Sequence, residues 1–97
     1  MKNLRIMAVC GFGLGSSMIL RLKIDEVLKK HGIKAETFCS DVTTAPGEKF
    51  DVVFTSKEIK DIFKKVSQPV IVIDNFLSIP EIEEKGLPIL KELANQG

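Results

Sequence analysis

The sequence lacks a long hydrophobic run, a strong excess of charge of either sign, and the segments that target a chain to a membrane. Its apolar runs, such as PVIVI (Pro69–Ile73), are far shorter than the roughly 20 residues that span a bilayer. The start, MKNLRIMAVCG, has no hydrophobic region of a signal peptide. The formal net charge is +1, which argues against the clustered basic surface that nucleic-acid binders normally have. These absences predict a cytoplasmic protein with no direct membrane insertion and no nucleic-acid partner.

Cysteine is also scarce, with Cys10 and Cys39 the two in the chain. A structural disulfide between them is not expected in a reducing cytosol. The 97 residues contain no internal repeat and no linker, so a single domain over residues 1–97 is predicted. At this length the stability margin of a folded domain is thin.

Strand-like runs alternate with helix-like periodicity along the chain. The first helix is predicted from about Ser16 to His31, with Gly32 at its C-cap. Strand-like runs before and after it predict four strands, at Leu4–Val9, Lys34–Asp41, Asp51–Thr55 and Pro69–Asp74. The second of these is half-polar and is therefore expected at an edge of the sheet.

Two more helices are predicted after the third and fourth strands. Thr55 or Ser56 would cap the second helix, whose apolar face would hold Ile59, Ile62, Phe63 and Val66. Ser78 and Glu81 form a capping box for the last helical region, which Gly86 and Pro88 are expected to interrupt.

This alternation predicts an α/β fold. The expected architecture is a single three-layer domain with a four-stranded parallel sheet in the flavodoxin-like order 2-1-3-4 and helices on both faces. Ligands of such sheets bind at the carboxyl ends of the strands, beside the first strand. The stretch VCGFGLGSSM (Val9–Met18) begins at that position.

Three glycines, Gly11, Gly13 and Gly15, make this stretch a candidate phosphate-binding loop. Glycine allows successive backbone N–H groups to turn toward an anion at a helix N-terminus. A Walker loop is excluded because no lysine follows Gly15. A dinucleotide fingerprint fits poorly because Ser16 stands at its third glycine position. A non-catalytic nucleotide-binding module nevertheless stays open as an alternative.

Cys10 gives the loop a nucleophile. A thiol beside loop amides and a helix N-terminus has its pKa lowered to roughly 3.5–7.5, which favours the reactive thiolate. Cysteine phosphatases use the pattern C-x5-R, but here Ser16 and Ser17 occupy the place of the arginine. The site is therefore expected to accept a phosphoryl group and hold it for transfer. A low-molecular-weight cysteine phosphatase or a thiol reductase relative remains the alternative. No acidic pair accompanies the loop, so no metal site is predicted.

The stretch AVCGFGLGSSMILRLKIDEVLKKHG (residues 8–32) resembles the start of the IIB subunits of the bacterial phosphoenolpyruvate-dependent sugar phosphotransferase system. It is similar to the lactose/cellobiose-like group and, within that group, to the ascorbate-type and galactitol-type branch. The specific part of the resemblance is the C-x5-S-S loop that leads into the first helix.

The resemblance implies a phosphocarrier, an enzyme that needs no cofactor beyond a covalent phosphocysteine. Cys10 would take the phosphoryl group from a phosphohistidine on a IIA protein. It would pass that group to a sugar, or to ascorbate, held by a membrane IIC transporter. The phosphate loop would consist of Gly11, Phe12, Gly13, Leu14, Gly15, Ser16 and Ser17.

Other polar residues are given structural roles. His31, the only histidine, is placed at the far end of the first helix, about 22 Å from the loop. Cys39 is interpreted as a small buried side chain rather than a resolving thiol. Six residues after the second, third and fourth strands could line the rim of the site, although caps and turns suffice to explain them: Asp41, Thr43, Thr44, Ser56, Asp74 and Asn75.

Overall fold

The protein is described, as a computed structural model, over residues 4–9 and 14–96, with only the backbone described for residues 14–16, 95 and 96. Within these ranges four strands and two α-helices follow one another along the chain. They are β1 (Leu4–Val9), α1 (Leu14–His31), β2 (Ala35–Cys39), β3 (Val52–Thr55), β4 (Val70–Val72) and α2 (Ile79–Gln96). Two short 3₁₀ helices, Ala45–Gly47 and Lys60–Phe63, precede β3 and β4.

The four strands form one parallel sheet in the order β2-β1-β3-β4, which confirms the predicted fold class and strand order. The strand β1 lies inside the sheet with five of its six residues buried, because its run of apolar residues suits a strand covered on both faces. The half-polar β2 lies at an edge, as its composition predicts. It is shorter than the predicted Lys34–Asp41 at both ends.

Both α-helices pack on the same face of the sheet. Leu20 and Ile24 from α1 share one buried cluster with Ile82 and Leu90 from α2 and with Phe54 from β3. The apolar spacing of each helix explains this arrangement, since residues three or four apart lie on one side of a helix. The helix α1 ends at His31, and Gly32 follows with a φ of +66°, which confirms the predicted glycine C-cap.

The opposite face of the sheet is covered by the two 3₁₀ helices and their loops. Its core contains Met7, Val9 and Val53 from the strands, together with Ala45, Phe50 and Phe63. Helices were predicted on both faces of the sheet. The structure has α-helices on one face and only short 3₁₀ helices on the other.

The prediction of a regular second helix after β3 is wrong. Only Lys60–Phe63 is helical there, as a 3₁₀ turn, and of its predicted apolar face only Phe63 is buried. A short segment with β-branched residues at three of four apolar positions gains too little burial to offset the cost of starting an α-helix. Thr55 belongs to β3, and the hydroxyls of Thr55 and Ser56 cap nothing among the described residues.

The predicted interruption of the last helix is also wrong, because α2 runs through Gly86 and Pro88 without a break. Proline has no N–H to donate to the carbonyl four residues earlier in the helix. Because Pro88 is exposed, water can bond that carbonyl instead. Ile82, Gly86 and Leu90 are buried at four-residue spacing on one side of the helix. This burial outweighs the local cost of the proline.

Gly86 allows α2 to approach the sheet closely. A Cβ atom at this position would lie 2.6 Å from Cζ and 2.7 Å from Cε2 of the Phe54 ring. Because Phe54 is fully buried, its ring has no free space into which to move. The glycine is therefore explained by packing between α2 and β3 rather than by a helix end.

Candidate functional site

The carboxyl ends of β1 and β3 lie side by side at the centre of the sheet. Val9, the last residue of β1, is the register partner of Thr55, the last residue of β3. The predicted nucleophile Cys10 follows Val9 in the sequence. Cys10, Gly11, Phe12 and Gly13 lie outside the described residues, so their predicted roles remain predictions. The described residues on either side are the end of β1 and the start of α1.

The other four residues of the predicted phosphate loop form the start of α1. The helix begins at Leu14, so Leu14, Gly15, Ser16 and Ser17 make up its first turn, two residues earlier than the sequence predicts. The first N–H groups of a helix have no acceptor within the helix and carry its positive end. No acidic side chain lies in this turn, whereas Lys29, Lys30 and His31 lie in the last turn. No carboxylate of the first turn therefore neutralises the positive end of the α1 dipole.

Ser17 is fully buried, unlike the residues that follow it. Its neighbours Met18 and Ile19 are 51% and 43% exposed. Buried serine hydroxyls in a first helical turn are held by hydrogen bonds rather than by apolar contact. The second serine of the sequence motif is thus buried within the first turn of α1.

Two consecutive hydroxyl side chains are buried at the end of β3. Thr55 is fully buried and Ser56 is 6% exposed, and neither Oγ atom has a hydrogen-bond partner among the described residues. Leaving a buried hydroxyl without a partner costs about 1–3 kcal/mol. In the sequence Ser56 is one of six possible rim residues, and no signal there indicates that its hydroxyl is buried without a partner among the described residues.

At the end of β2 the predicted rim residues form a turn. Ser40 donates its backbone N–H to the carbonyl of Ala8 at 3.2 Å, which extends the contact between β2 and β1. One oxygen of Asp41 then accepts hydrogen bonds from the Thr43 hydroxyl at 2.8 Å and from the backbone N–H of Thr44 at 2.8 Å. Side-chain bonds from both threonines hold the pKa of Asp41 below its usual value. The turn explanation therefore suffices for this group.

Cys39 lies at the end of β2 and packs against the helical core, but it is half-buried rather than buried as predicted. His31 lies at the last residue of α1, where its Nε2 atom is 2.7 Å from Oε2 of Glu83 on α2. The position of His31 at the end of α1 opposite to the loop is the predicted one. Its contact with Glu83, which joins the two helices, was not predicted.

The loop after β4 is held by one carboxylate. Glu81 accepts backbone hydrogen bonds from Asp74 at 2.7 Å and Asn75 at 2.9 Å, and its carboxylate lies 2.7 Å from Nζ of Lys85. Burial alone would raise the pKa of Glu81, but the bonds from Lys85, Asp74 and Asn75 outweigh it and lower that pKa. Ser78 Oγ accepts the N–H of Glu81 at 3.2 Å, which is half of the predicted capping box. The other half of a capping box would be a hydrogen bond from the backbone N–H of Ser78 to the Glu81 carboxylate. Here that carboxylate accepts the N–H groups of Asp74 and Asn75 instead.

An apolar surface on α1 was not found from the sequence. Met18, Ile19 and Leu22 are 51%, 43% and 57% exposed, and we call these three residues the α1 patch. At about 100° per residue they cover an arc of about 100° on the side of α1 opposite to Leu20 and Ile24. The sequence does contain a signal for it, because Met18, Ile19 and Leu22 are apolar but do not share the helical spacing of the buried residues Leu20 and Ile24. A contiguous exposed apolar surface of this kind commonly marks a contact with a partner.

The described residues show two further properties. Among residues 4–9 and 14–96, no group of three or more His, Cys, Asp and Glu side chains is arranged to hold a metal ion. Within the same ranges, no helix combines the length and apolar character needed to cross a membrane.

Comparison with known protein families gives a match over most of the chain. The family model for the lactose/cellobiose-specific IIB subunit of the phosphotransferase system matches residues 5–86. The ascorbate-specific EIIB component of Mycoplasma pneumoniae is 29% identical over 86 residues, which cover 86% of this chain and 90% of the relative. The ascorbate-specific EIIB component of Salmonella typhimurium is 33% identical over 93 residues, covering 93% of this chain and 92% of the relative.

A similar solved structure supports the fold. The lactose-specific IIB domain of the phosphotransferase system from Streptococcus pneumoniae superposes with a TM-score of 0.57 and covers 97% of each chain. Its sequence identity is 12%, so the likeness concerns the fold alone.

Proposed function

Because the chain belongs to the lactose/cellobiose-specific IIB family of the phosphotransferase system, whose members are phosphotransferases, we propose that it carries a phosphoryl group on Cys10. The observation that carries the proposal is the family match over residues 5–86, which contains the whole C-x5-S-S loop. The central strand that ends at Val9 and the helix that begins at Leu14 flank this loop. This arrangement supports the proposal, because anion sites commonly form where a loop leaves a strand and enters the N-terminus of a helix.

In the first step the Cys10 thiolate attacks the phosphorus of a phosphohistidine on a IIA protein. The S–P bond forms while the N–P bond breaks, and the imidazole leaves with the electron pair. The uncompensated positive end of α1 supports this step, because it favours both the thiolate and the negative phosphoryl oxygens. Leu14, Gly15, Ser16 and Ser17 would supply backbone donors from the first turn, with Gly11, Phe12 and Gly13 completing the loop.

In the second step a hydroxyl oxygen of the substrate attacks the phosphorus of phosphocysteine. The O–P bond forms, the S–P bond breaks, the thiolate leaves, and the hydroxyl proton passes to a base beside the acceptor. We propose that the acceptor is ascorbate held by a membrane IIC transporter. The support is that relatives at 29–33% identity, over most of both chains, are named ascorbate-specific.

The α1 patch is the proposed contact for these phosphoryl-transfer partners. It begins one residue after Ser17, so a protein seated on it would lie beside the loop. Leu77, on the loop after β4, is 64% exposed and follows the carboxyl end of its strand, as the loop after β1 does in this parallel sheet. Exposed methionine and leucine side chains adapt to different partners, which suits a carrier that meets a donor and an acceptor in turn.

A relay reaction tests the proposal. The chain is incubated with phosphoenolpyruvate, the two general proteins of the phosphotransferase system and candidate IIA subunits, and the phosphorylated residue is located by mass spectrometry under conditions that preserve S–P bonds. We expect the label on Cys10, its loss in Cys10→Ser, and its retention in the matched control Cys39→Ser. A label on His31, or one that survives in Cys10→Ser, would contradict the mechanism.

A second arm of the experiment tests the acceptor and the alternatives. Membranes that contain candidate IIC transporters are supplied with ascorbate, galactitol or lactose, and we expect phosphorylated product from ascorbate. Steady hydrolysis of a simple phosphate ester would instead favour a cysteine phosphatase. Nucleotide binding that is unchanged in Cys10→Ser, with no phosphoenzyme formed, would favour a nucleotide-binding module.

A further inference from the structure

Ser56 has a buried hydroxyl that nothing in the described structure satisfies. Its side chain is 6% exposed, and its Oγ atom lacks a hydrogen-bond partner within residues 4–9 and 14–96. We propose that the Ser56 hydroxyl donates a hydrogen bond to the phosphoryl group that Cys10 carries. This inference rests on the proposed function, and it adds a phosphate-binding residue from outside the loop.

The placement of Ser56 follows from the register of the sheet. Val9 and Thr55 are paired at the ends of β1 and β3, so the next residue of each chain segment is Cys10 on one side and Ser56 on the other. The position of Ser56 is fixed from both directions. The carbonyl of Thr55 accepts the N–H of Ile73 at 2.9 Å, and the carbonyl of Ser56 accepts the N–H of Ile59 at 3.3 Å.

The neighbouring hydroxyl of Thr55 provides a contrast on the other face of the sheet. Side chains alternate along a strand, so Thr55 shares the face of Val53, which belongs to the core under the 3₁₀ helices. Phe54, the residue between them, belongs to the core under α1 and α2. Alternation carried one residue past the end of β3 would place the Ser56 side chain on the face of Phe54, where α1 packs, whereas Thr55 points to the opposite face.

The chemistry of the missing partner follows from the donor. A buried hydroxyl without a partner is unfavourable, and a phosphoryl oxygen is a strong acceptor that becomes present only in the phosphorylated state. Lys57 and Glu58, which follow Ser56, are exposed, so Ser56 is the buried polar group of this turn. A neutral donor also stabilises the phosphoryl group less than a guanidinium would, which suits a group that must leave again.

The experiment compares three variants of the full chain. Ser56→Ala removes the hydroxyl, Ser56→Thr retains one, and Thr55→Val removes the buried unpaired hydroxyl on the other face. The readout is the equilibrium fraction of chain phosphorylated on Cys10 by a fixed ratio of phosphorylated to free IIA protein, together with the urea midpoint of the unphosphorylated chain. We expect Ser56→Ala to lower the equilibrium constant for phosphorylation about tenfold. Ser56→Thr and Thr55→Val should remain within about twofold of the wild type.

The urea midpoint separates binding from a structural role. Because the hydroxyl has no hydrogen-bond partner among the described residues, Ser56→Ala should leave the midpoint unchanged or raise it. An equilibrium constant unchanged in Ser56→Ala, an equal loss in Thr55→Val, or a parallel fall in the urea midpoint would overturn the inference while leaving the carrier proposal intact. If the wild-type chain takes no label on Cys10, the proposed function itself fails and this inference fails with it.

Discussion

On one face of the sheet two 18-residue α-helices cover a described core of twelve buried residues, whereas on the other face two 3₁₀ helices and their loops cover a core of six. Long helices bury continuous apolar sides, and short turns bury single residues such as Phe63. The difference indicates that the helical face supplies most of the packing energy. The other face is closed by short turns and loops, which we expect to adjust to a cavity more readily than long helices do.

Two phenylalanines test this difference most strongly. Phe54 is fully buried under the α-helices, and Phe63 is 3% exposed under the loops. We expect Phe54→Ala to lower the free energy of unfolding by about 3–5 kcal/mol, because rigid helices leave the cavity open. Phe63→Ala should cost about 2–3 kcal/mol, since the surrounding turn can close around the gap. Urea denaturation of both variants measures the difference, and equal losses would refute the contrast between the two faces.

Two glycines test the same contrast at smaller size. A Cβ at Gly86 on α2 would lie 2.6 Å from the Phe54 ring, whereas a Cβ at Gly47 in the first 3₁₀ helix meets nothing within 4 Å. Overpacking costs about 1–3 kcal/mol and alanine regains up to about 1 kcal/mol of helix propensity. We therefore expect Gly86→Ala to destabilise the protein by about 1–2 kcal/mol.

Gly47→Ala is the matched control for this prediction. Its φ is not in the left-handed region and its surroundings are open, so the change should stay within about 0.5 kcal/mol. Thermal unfolding of both variants gives the comparison. A stabilised Gly86→Ala protein would show that the Phe54 ring can move aside.

Glu81 tests how firmly the loop after β4 is attached to the helical face. Its carboxylate is 16% exposed and accepts the N–H groups of Asp74 and Asn75. Glu81→Gln removes the charge and one acceptor oxygen, and we expect a loss of about 1–2 kcal/mol near pH 7. Asp41→Asn at the exposed turn after β2 should cost less, because that carboxylate is surrounded by water.

The pH dependence of the Glu81 variant has a defined sign. The pKa of Glu81 in the folded protein lies below its usual value of 4.5, so its stabilising effect is complete above about pH 4.5. The effect is lost as the pH falls through the lower folded-state pKa. The stability difference between wild type and Glu81→Gln should therefore shrink in that acidic range. A difference that stays constant from pH 7 to pH 3 would assign the effect to packing instead of charge.

The contrast between the two faces also explains what the sequence could predict. The strand Leu4–Val9, the glycine C-cap at Gly32 and the apolar stripe of α1 were predictable because local pattern and tertiary burial agree there. The 3₁₀ turn at Lys60–Phe63 was not, because its apolar spacing fits a helix while only one residue finds a buried place. At Pro88 the sequence predicts a break in the last helix, but α2 continues through it. The burial of neighbouring residues in α2 outweighs the cost of a proline inside a helix.

For the candidate site, the structure confirms the predicted position between the end of β1 and the start of α1, while the roles of the loop residues stay predictions. The sequence contains no signal of the buried hydroxyls at the end of β3. The motif from Cys10 to Ser17 was visible because three glycines that alternate with larger residues after a cysteine exceed what a structural turn needs. Ser56 carries no such signal, because a serine after a strand usually forms a cap or a turn. Its burial without a partner depends on which side of β3 it occupies, and only the packed sheet determines this.

The smallest effect on stability is expected at the α1 patch, where the effect on transfer should be large. Leu22 is 57% exposed on the side of α1 away from the core, so Leu22→Ser should change the free energy of unfolding by at most about 0.5 kcal/mol. Under the proposed function it should slow phosphorylation by the IIA protein, because a partner would lose apolar contact beside the loop. Ile62, 36% exposed under the opposite face, supplies the control. Ile62→Ser should leave both stability and the initial rate of phosphorylation near wild type, and equal slowing in both variants would show that the partner does not distinguish the two faces.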